Sequence, residues 1–414
     1  MADEGAYSNR LLPALLRRSG MGEQDRHLAA ELAYGTLRRT VSIDFALGPL
    51  LERPVTEAPG PARAALRVGA YQLLFTRIPD HAAVAETVGA VPRGLRGFCN
   101  AVLRRLAATE VEWPPGEDQR SVAVRTGLAP WAVRELRLLL GEEAEAAAAA
   151  LASPGGLTLR ANPCGAPPGE PEGSLRALGL DPRRGLLHRH ALRLDGGDPV
   201  RLPGFDDGWF AVQDEASTWV VDVLDPRPGE RVLDACAGPG GKAGDIACRS
   251  GIAVAGDVSE PRVRLVVESA RRLGVRVLVL VQNASRPALR GGFDRVLVDA
   301  PCSGIGAARR RPELLWRPDR RRLSSLARLQ VRLAEGAASL LRPGGILVYS
   351  VCTFPRAETE AACRALVGRV PGLRPDPFRG PDGEEATEVR LWPHRHDTDA
   401  MFVARFRRED GGPG

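Results

Sequence analysis

Lysine is almost absent from this chain of 414 residues. Every side chain of the Lys and Arg type is arginine except Lys242, which ends the stretch LDACAGPGGK at residues 233–242. Lysine differs from arginine in shape, hydration and the ease with which its pKa shifts, so a single ammonium beside a glycine turn is a candidate functional group. An equally open alternative is that Lys242 has no function and lies on a solvated surface by chance.

The chain also lacks closely spaced cysteine pairs. Its seven cysteines are odd in number, widely spaced and without a C-x-x-C pair. This pattern argues against a disulfide framework and against a zinc ribbon. We therefore expect no bound metal and a reducing, cytoplasmic environment.

Long apolar segments are missing as well. No run approaches the length that spans a bilayer, and the N-terminal stretch MADEGAYSNRLLPALLRRSG has no signal-peptide core or cleavage site. Export and membrane insertion are not expected. We also expect the protein to be a monomer.

The composition that remains is typical of a globular protein with several domains. A hydrophobic content of 44% and a charged content of 26% allow two or three cores over this length. The formal charge of +6 favours a polyanionic partner such as nucleic acid, although a merely basic surface would give the same excess.

Hydrophobic periodicity divides the chain into four parts. Helical spacing over residues 1–145 predicts an all-helical domain. A Pro/Gly-rich stretch then interrupts regular structure within a small α+β subdomain, predicted over 146–225. From 226 to 408 short apolar strands alternate with helices, which predicts a doubly wound, mostly parallel α/β domain of the Rossmann-like kind. Residues 409–414 are predicted to be a frayed tail.

A glycine turn after the first strand of the α/β domain predicts a cofactor site. Residues 236–242 fall at the carboxyl end of that strand, and Asp257 ends the next strand, where a carboxylate can bind ribose hydroxyls. A P-loop would need glycine at Cys236 and Ser or Thr at Ala243, and the dinucleotide fingerprint fails at its last glycine. A nucleoside without a pyrophosphate, such as S-adenosylmethionine, therefore fits better than ATP or NAD.

Two cysteines follow strand ends at the same predicted edge of the sheet. FDRVLVDAPCSG places Asp299 and Cys302 there, and LVYSVCTF places Cys352 there. A single buried cysteine is as often a core residue as a reactive one. Two thiols at adjacent strand ends favour chemistry. Core positions are expected for three others, Cys236, Cys248 and Cys363.

Several motifs carry a family resemblance. DACAGPGGK, DAPCSGIGAARRRPELLW, YSVCT and LWPH resemble, in order and spacing, the RNA 5-methylcytosine methyltransferases of the Sun/Fmu/RsmB type. Through LRVGAYQLLFTRIPDHAAVAETV and FCNAVLRRL, the helical half resembles the NusB-type RNA-binding domain of that subfamily. The resemblance implies a class I methyltransferase that transfers a methyl group from S-adenosylmethionine to C5 of a cytosine in ribosomal RNA, expected to be the 16S RNA.

The resemblance also implies a role for each thiol. It makes Cys352 the nucleophile that adds to cytosine C6 and Cys302 the residue that assists release, with Asp299 bonded to the N3/N4 edge of the base. Such an adduct is needed because C5 becomes nucleophilic only after addition at C6. A free thiol is only about 3% thiolate at pH 7, so the site must supply positive potential or a base, which Lys242 could provide.

Cofactor contacts are implied for a larger set, namely Cys236, Ala237, Gly238, Pro239, Gly240, Gly241, Lys242, Asp257, Asn283 and Asp299. One of these positions departs from the family pattern. The family usually has an acid where this chain has Asn283. The amide can still accept a hydrogen bond from the adenine amino group through its carbonyl oxygen.

An arginine-rich segment follows the Cys302 motif over residues 307–323. A charge run of this kind is usually a solvated helix face. Beside a pocket that must receive an unstacked base, it predicts a phosphate clamp. The residues expected to contact RNA are Arg309, Arg310, Arg311, Trp316 and Arg317. Whether Trp316 stacks on RNA or is structural stays open.

Other functions are compatible with parts of this pattern. The same chemistry could act on tRNA. An N-methyltransferase of proteins or small molecules would be expected to carry an Asn/Asp-Pro-Pro-Tyr-like motif where this chain has DAPCSG. A non-catalytic RNA-binding factor for ribosome assembly would need neither the two thiols nor Lys242.

Overall fold

The chain forms two compact units in a computed structural model that describes residues 8–317 and 319–409. The helical unit comprises Met1–Pro154 and Ala308–Pro318, and the α/β unit comprises Gly155–Ala307 and Asp319–Gly414. The sequence pattern had placed the first boundary at residue 145 and had put the segment 308–318 in the methyltransferase domain. The helix Ala144–Ala152 carries the first unit past residue 145, and burial of side chains such as Leu314 and Leu315, which no periodicity reveals, places residues 308–317 in the helical unit.

The helical unit confirms the predicted all-α N-terminal domain. Its helices are α1 Ser8–Arg18, α2 Glu23–Arg38, α3 Thr40–Leu47, α4 Gly60–Phe75, α5 Asp80–Gly89, α6 Arg93–Ala107, α7 Gln119–Thr126, α8 Pro130–Leu140 and α9 Ala144–Ala152. Leu47, Leu66 and Leu103, from three different helices, are fully buried in one core. The spacing of such residues produces the apolar stripe that folds these helices together.

The α/β unit begins with β1 Leu157–Ala161, α10 Glu170–Ala177, β2 Arg183–Arg184, β3 Ala191–Leu194, β4 Phe210–Val212 and α11 Glu215–Leu224. It continues with β5 Val232–Asp234, α12 Gly241–Ser250, β6 Ala253–Asp257, α13 Glu260–Arg272, β7 Val277–Val281 and β8 Phe293–Asp299. It ends with α14 Arg320–Ala338, β9 Leu341–Val351, α15 Glu360–Arg369, β10 Leu373–Pro375, β11 Phe378–Arg379, β12 Glu385–Ala386, β13 Glu388–Leu391, α16 Pro393–His396 and β14 Met401–Arg408.

The main sheet confirms the predicted doubly wound arrangement. Its order is β10-β14-β9-β8-β5-β6-β7, and β13 pairs with β14. The strands from β5 to β9 are parallel, whereas β14 runs antiparallel to β9, so the sheet is mixed. The order reverses direction at β5, which creates a switch point where ligands bind open α/β sheets. A smaller antiparallel sheet has the order β2-β3-β1-β4.

Two cysteines form a disulfide that the sequence analysis did not predict. Cys164 and Cys248, 84 residues apart, are joined between the loop after β1 and helix α12. The spacing argument against disulfides and the core position expected for Cys248 were therefore wrong, because the tertiary fold, not local spacing, brings the two sulfurs together. The other five cysteines are free.

The predicted C-terminal tail is described only at its first residue. The backbone N–H of Glu409 donates to the carbonyl of Gly372, 2.7 Å away, so Glu409 continues the hydrogen bonding at this edge of the sheet. Residues 410–414 lie outside the described residues.

Candidate functional site

The candidate site lies at the carboxyl ends of the central strands of the α/β unit. Asp234 ends β5, Asp257 ends β6, and Asp299 ends β8 next to Ser350 of β9. Side chains that leave parallel strands at this edge face the same crevice at the switch point. The fold thus brings the predicted residues Asp257, Asp299, Cys302 and Cys352 to one edge of the sheet, together with Asp234.

The glycine loop is held against β6 by backbone bonds. The N–H of Ala237 donates to Gly256 O at 2.9 Å, and the N–H of Gly238 donates to Asp257 Oδ2 at 3.1 Å. Gly240 has φ of 104°, and a Cβ there would approach the Cα of Val266 to 3.0 Å. Only glycine fits this conformation, so the turn brings the N-terminus of α12 to the sheet edge.

Asp257 remains able to bind a ribose. Its Oδ2 accepts from the Gly238 N–H and its Oδ1 accepts from the Ser259 N–H at 2.9 Å. Each carboxylate oxygen has two acceptor sites, so one on each oxygen is left for a hydroxyl. Together with the N–H groups of the loop, this arrangement fits the nucleoside cofactor predicted from the sequence.

Lys242 is buried within the site and does not lie on a solvated surface. Its Nζ donates to Ser217 Oγ and to Asp299 Oδ2, both at 2.7 Å. Burial disfavours the ammonium, but the charge and hydrogen bond of Asp299 outweigh it and raise the pKa of Lys242, with smaller contributions from Asp234 and Cys352. Lys242 therefore keeps its charge at neutral pH.

Ser217 is a contact that the sequence analysis missed. Asp214 caps α11 by accepting from the Ala216 N–H at 3.0 Å. The cap fixes the first turn of the helix and with it the hydroxyl that Lys242 contacts. The motif VQDEAS carried the signal, because an aspartate followed by an acid in the first turn is typical of a helix start.

The two predicted thiols meet at the strand ends. Cys302 Sγ and Cys352 Sγ are 3.6 Å apart. The hydrogen bond with Cys352, burial, and the nearby charges of Cys352, Glu358 and Asp299 raise the pKa of Cys302 well above its usual value. Cys302 is thus a neutral thiol that can donate to Cys352.

Asp234 was also missed, although it stands two residues before Cys236 in LDACAGPGGK. Complete burial and the charge of Asp299 raise its pKa to about 7, against the opposing effect of Lys242. Burial, with the charges of Asp234, Asp299 and Asp257, raises the pKa of Cys236. Cys236 is therefore an unreactive thiol, and Asp234 is the acid here that titrates near neutrality.

Comparisons with known proteins agree with this geometry. The family described as 16S rRNA methyltransferase RsmB/F matches residues 221–407, and the NusB family matches residues 1–108. Ribosomal RNA small subunit methyltransferase B of Yersinia pseudotuberculosis is 33% identical over 98% of this chain and 95% of its own length. The chain belongs to the RsmB/F family of methyltransferases.

Two further comparisons cover nearly the whole chain. A Mycobacterium tuberculosis protein, described as a candidate methyltransferase, is 38% identical over 97% of this chain and 93% of its own. The crystal structure of PH0851 covers 95% of this chain and 93% of that chain, with a TM-score of 0.84 at 25% identity. The NusB match and the methyltransferase match confirm the two predicted fold types.

The side chain of Asn283 is expected to accept a hydrogen bond from adenine, but in the structure it accepts bonds from Ser285. The residue is exposed, and its Oδ1 accepts from Ser285 N–H at 3.0 Å and from Ser285 Oγ at 2.8 Å. The preceding Gln282 donates its N–H to Asp257 O at 3.0 Å, so Asn283 lies near the expected ribose position. Because both acceptor sites of the amide oxygen are in use, its contact with adenine stays a prediction.

Residues 308–317 of the arginine-rich segment belong to the helical unit. Trp316 Nε1 donates to Leu37 O at 2.8 Å, and the buried Glu313 accepts from the Ser8 N–H at 3.1 Å. Arg309 is itself buried. These contacts support the structural alternative for Trp316.

The predicted RNA contacts of Arg309, Arg310, Arg311 and Arg317 stay a prediction, since each of them already has a partner in the fold.

Within residues 8–317 and 319–409, no helix combines the length and the apolar character that crossing a membrane requires. Nor does the range hold a group of three or more His, Cys, Asp or Glu side chains placed to bind a metal ion.

Proposed function

We propose that this protein transfers a methyl group from S-adenosylmethionine to C5 of a cytosine in small-subunit ribosomal RNA, through a covalent bond between Cys352 and C6 of the base. The observation that carries the proposal is the thiol pair, 3.6 Å apart, at the sheet edge that also holds Lys242 and Asp299. The RNA target rests on the name of the Yersinia relative and on the NusB match.

The cofactor would be held by the glycine loop and by Asp257. When bound, S-adenosylmethionine supplies an electrophilic methyl group. The loop contributes N–H donors at the start of α12, where the helix dipole and unpaired donors favour a carboxylate. Asp257 contributes acceptors for ribose hydroxyls.

The chain's own residues prepare the nucleophile. Lys242 lies close enough to Cys352 for the thiolate charge to raise the Lys242 pKa, so the ammonium favours the thiolate in return. The neutral Cys302 donates to the same sulfur. In the addition step the Cys352 Sγ–C6 bond forms. The π bond between C5 and C6 breaks, and its electron pair moves toward C5.

Asp299 is positioned to bind the cytosine edge. Its Oδ2 accepts from Lys242 and its Oδ1 accepts from Ser350 Oγ at 2.9 Å, which fixes the plane of the carboxylate. An acceptor held in this way can bond to N4 or to a protonated N3 of the base. Bonding to a protonated N3 would favour that protonation, which offsets the negative charge that thiolate addition places on the ring.

Release would use Cys302. Its pKa is raised chiefly by the hydrogen bond with Cys352, with a further contribution from the charge of that thiolate. Both effects disappear once Cys352 Sγ is bonded to C6, so the pKa of Cys302 falls and a larger fraction of Cys302 loses its proton to become the thiolate, the form that can accept the C5 proton. Removal of the C5 proton then restores the double bond and expels Cys352 from C6.

Identification of the modified nucleoside tests the proposal. Small-subunit ribosomal RNA and, separately, tRNA would be incubated with cofactor carrying a labelled methyl group, then digested to nucleosides. We expect label in 5-methylcytidine from ribosomal RNA, and none with Cys352→Ala. Label only in tRNA would reassign the substrate, and label in another nucleoside would refute C5 chemistry.

A further inference from the structure

A buried carboxylate outside the predicted site connects the residues that follow both thiols. Glu358, in the loop between β9 and α15, is fully buried. Its Oε1 accepts from the Ser303 N–H at 2.9 Å, and its Oε2 accepts from Ser303 Oγ at 2.5 Å. The Ser303 hydroxyl also lies 2.7 Å from Thr353 Oγ1. Ser303 follows Cys302, and Thr353 follows Cys352.

Gln330 of α14 completes the connection on the other side of Cys302. Its Nε2 donates to Pro301 O at 3.0 Å and to Glu358 Oε1 at 2.9 Å. The Tyr349 hydroxyl donates to the Glu358 carbonyl at 2.7 Å and lies 3.1 Å from Gln330 Oε1. The backbone is thus held immediately before and immediately after the Cys302 thiol.

The bonds of Glu358 favour the Cys302 side of the pair. Thr353 Oγ1 is 3.5 Å from Glu358 Oε2, longer than either bond from Ser303. The Cys352 backbone is held differently, because its carbonyl accepts from the Gly306 N–H at 3.1 Å. Loss of Glu358 should therefore displace Cys302 more than Cys352.

Stability alone does not explain a carboxylate in this place. Its hydrogen-bond partners in the described part of the chain are neutral donors, and burial raises its pKa although those donors oppose the shift. A buried carboxylate without a cation is costly, and apolar packing of the same volume would serve the core better. The two bonds to Ser303 indicate instead that the carboxylate fixes the position of the backbone next to Cys302.

We propose that Glu358 is a positioning residue that holds Cys302 beside Cys352 for the release step. The inference rests on the proposed covalent function, and it adds a residue that touches neither base nor cofactor. It predicts that Cys352 still attacks when Glu358 is lost, while the methylated product leaves slowly.

Two variants separate the geometry from the charge. In Glu358→Gln the amide oxygen can accept from Ser303 N–H and Gln330, while the amide nitrogen donates to the two hydroxyls, so the thiol geometry should survive. Glu358→Ala removes all of these bonds. Asp376→Ala is the matched control, because Asp376 is a buried carboxylate paired with Arg405 and Arg407 on β14, outside the site.

The first measurement uses phenylarsine oxide, whose arsenic bonds two adjacent thiols as their protons and the oxide oxygen leave as water. Wild type, Glu358→Gln and Asp376→Ala should each bind one arsenic, bridged between the two thiols. Cys302→Ala lacks one of these thiols and should not form the bridge. Glu358→Ala should lose this bridged product. The result depends only on the separation of the sulfurs and not on any methyl transfer.

The second measurement follows protein linked to RNA on a denaturing gel. Glu358→Ala should accumulate a linked band as Cys302→Ala does, with release slowed about tenfold or more, because a misplacement of about 1 Å can cost up to 10²-fold. Wild type, Glu358→Gln and Asp376→Ala should show no such accumulation. If Glu358→Ala does not fold, as judged by circular dichroism, Ser303→Ala removes one bond and should give the same effects, more weakly.

The outcomes distinguish the two proposals. Normal arsenic bridging in Glu358→Ala would overturn the positioning role. Suppose that Glu358→Ala loses bridging and shows no linked band, whereas Cys302→Ala accumulates one. This result would overturn the role of Glu358 in the release step. Lost bridging with no linked band in either variant would support the positioning of Cys302 and refute the proposed covalent chemistry.

Discussion

At the scale of single residues, the two thiols differ in what their loss should do. Cys352→Ala has no nucleophile and should form no bond to RNA. Cys302→Ala keeps the nucleophile and should methylate, then stall as a protein–RNA adduct. On a denaturing gel with cofactor and RNA, only Cys302→Ala should give a shifted, nuclease-sensitive band. A shifted band from Cys352→Ala alone would reverse the roles.

Lys242 should not be replaceable by arginine. The planar guanidinium needs more room than the compact ammonium has between Ser217 and Asp299. We expect Lys242→Arg to lower turnover about tenfold or more, which is roughly 1.4 kcal/mol of barrier. Arg264→Lys on the exposed face of α13 is the control and should behave as wild type. Unchanged kinetics in Lys242→Arg would show that turnover does not require an ammonium at this position.

Asp234 should make stability depend on pH. Its pKa is raised in the folded protein from 3.8 to about 7, so between those values the folded state binds more protons than the unfolded state. Stability from this group is therefore lost as pH rises through the folded pKa. Asp234→Asn, which does not titrate, should gain stability relative to wild type by about 2–3 kcal/mol between pH 5 and pH 8. Urea unfolding at both pH values measures this gain, and a pH-independent difference would contradict the burial argument.

At the scale of elements, the turn between β5 and α12 should be the least tolerant of substitution. Gly240→Ala places a Cβ in a left-handed conformation and against Val266, which should cost about 1–3 kcal/mol. Binding of S-adenosylmethionine, measured by calorimetry, should weaken with it. Gly173→Ala in α10, where a Cβ meets no atom within 4 Å, is the control and should leave cofactor binding unchanged, while stability rises by about 0.5–1 kcal/mol. Equal effects in both variants would mean that the turn needs no glycine.

The arginine-rich segment shows how one pattern can belong to two elements. The stretch 309–317 lies in the helical unit, whereas Arg320–Ala338 forms α14 of the α/β unit. Arginines lie on both sides of Pro318. Packing separates them, because Leu314 and Leu315 are buried and the Ala129 N–H donates to Leu315 O at 2.8 Å.

At the scale of the whole molecule, this packing affects any attempt to isolate the catalytic half. The sequence predicts that residues 1–145 add RNA affinity but no catalytic atoms. Deletion of residues 1–154 would also remove the helices that cover Leu314 and Leu315. We expect the remainder to self-associate in size-exclusion chromatography. The same deletion with Leu314→Ser and Leu315→Ser should be monodisperse and bind the cofactor in calorimetry. A monodisperse deletion that keeps both leucines would contradict this account.

Some features of this protein were determined by the sequence alone, because local order is enough to specify them. Apolar residues at helical spacing specify the N-terminal helices, and alternating short strands and helices specify a doubly wound sheet. In such a sheet the residues after each strand share one edge, so Asp257, Asp299, Cys302 and Cys352 could be assigned to one site before any coordinates.

Other features were decided only by the tertiary structure, because they depend on contacts between residues far apart in the chain. Three such contacts join residues separated by 55 to 84 positions. They are the disulfide Cys164–Cys248, the bond between Lys242 and Asp299, and the hydrogen bonds between Ser303 and Glu358. The pKa of about 7 for Asp234 and the partial burial of Trp316 likewise arise from desolvation and packing. Burial is a property of the folded chain, and no spacing rule encodes it.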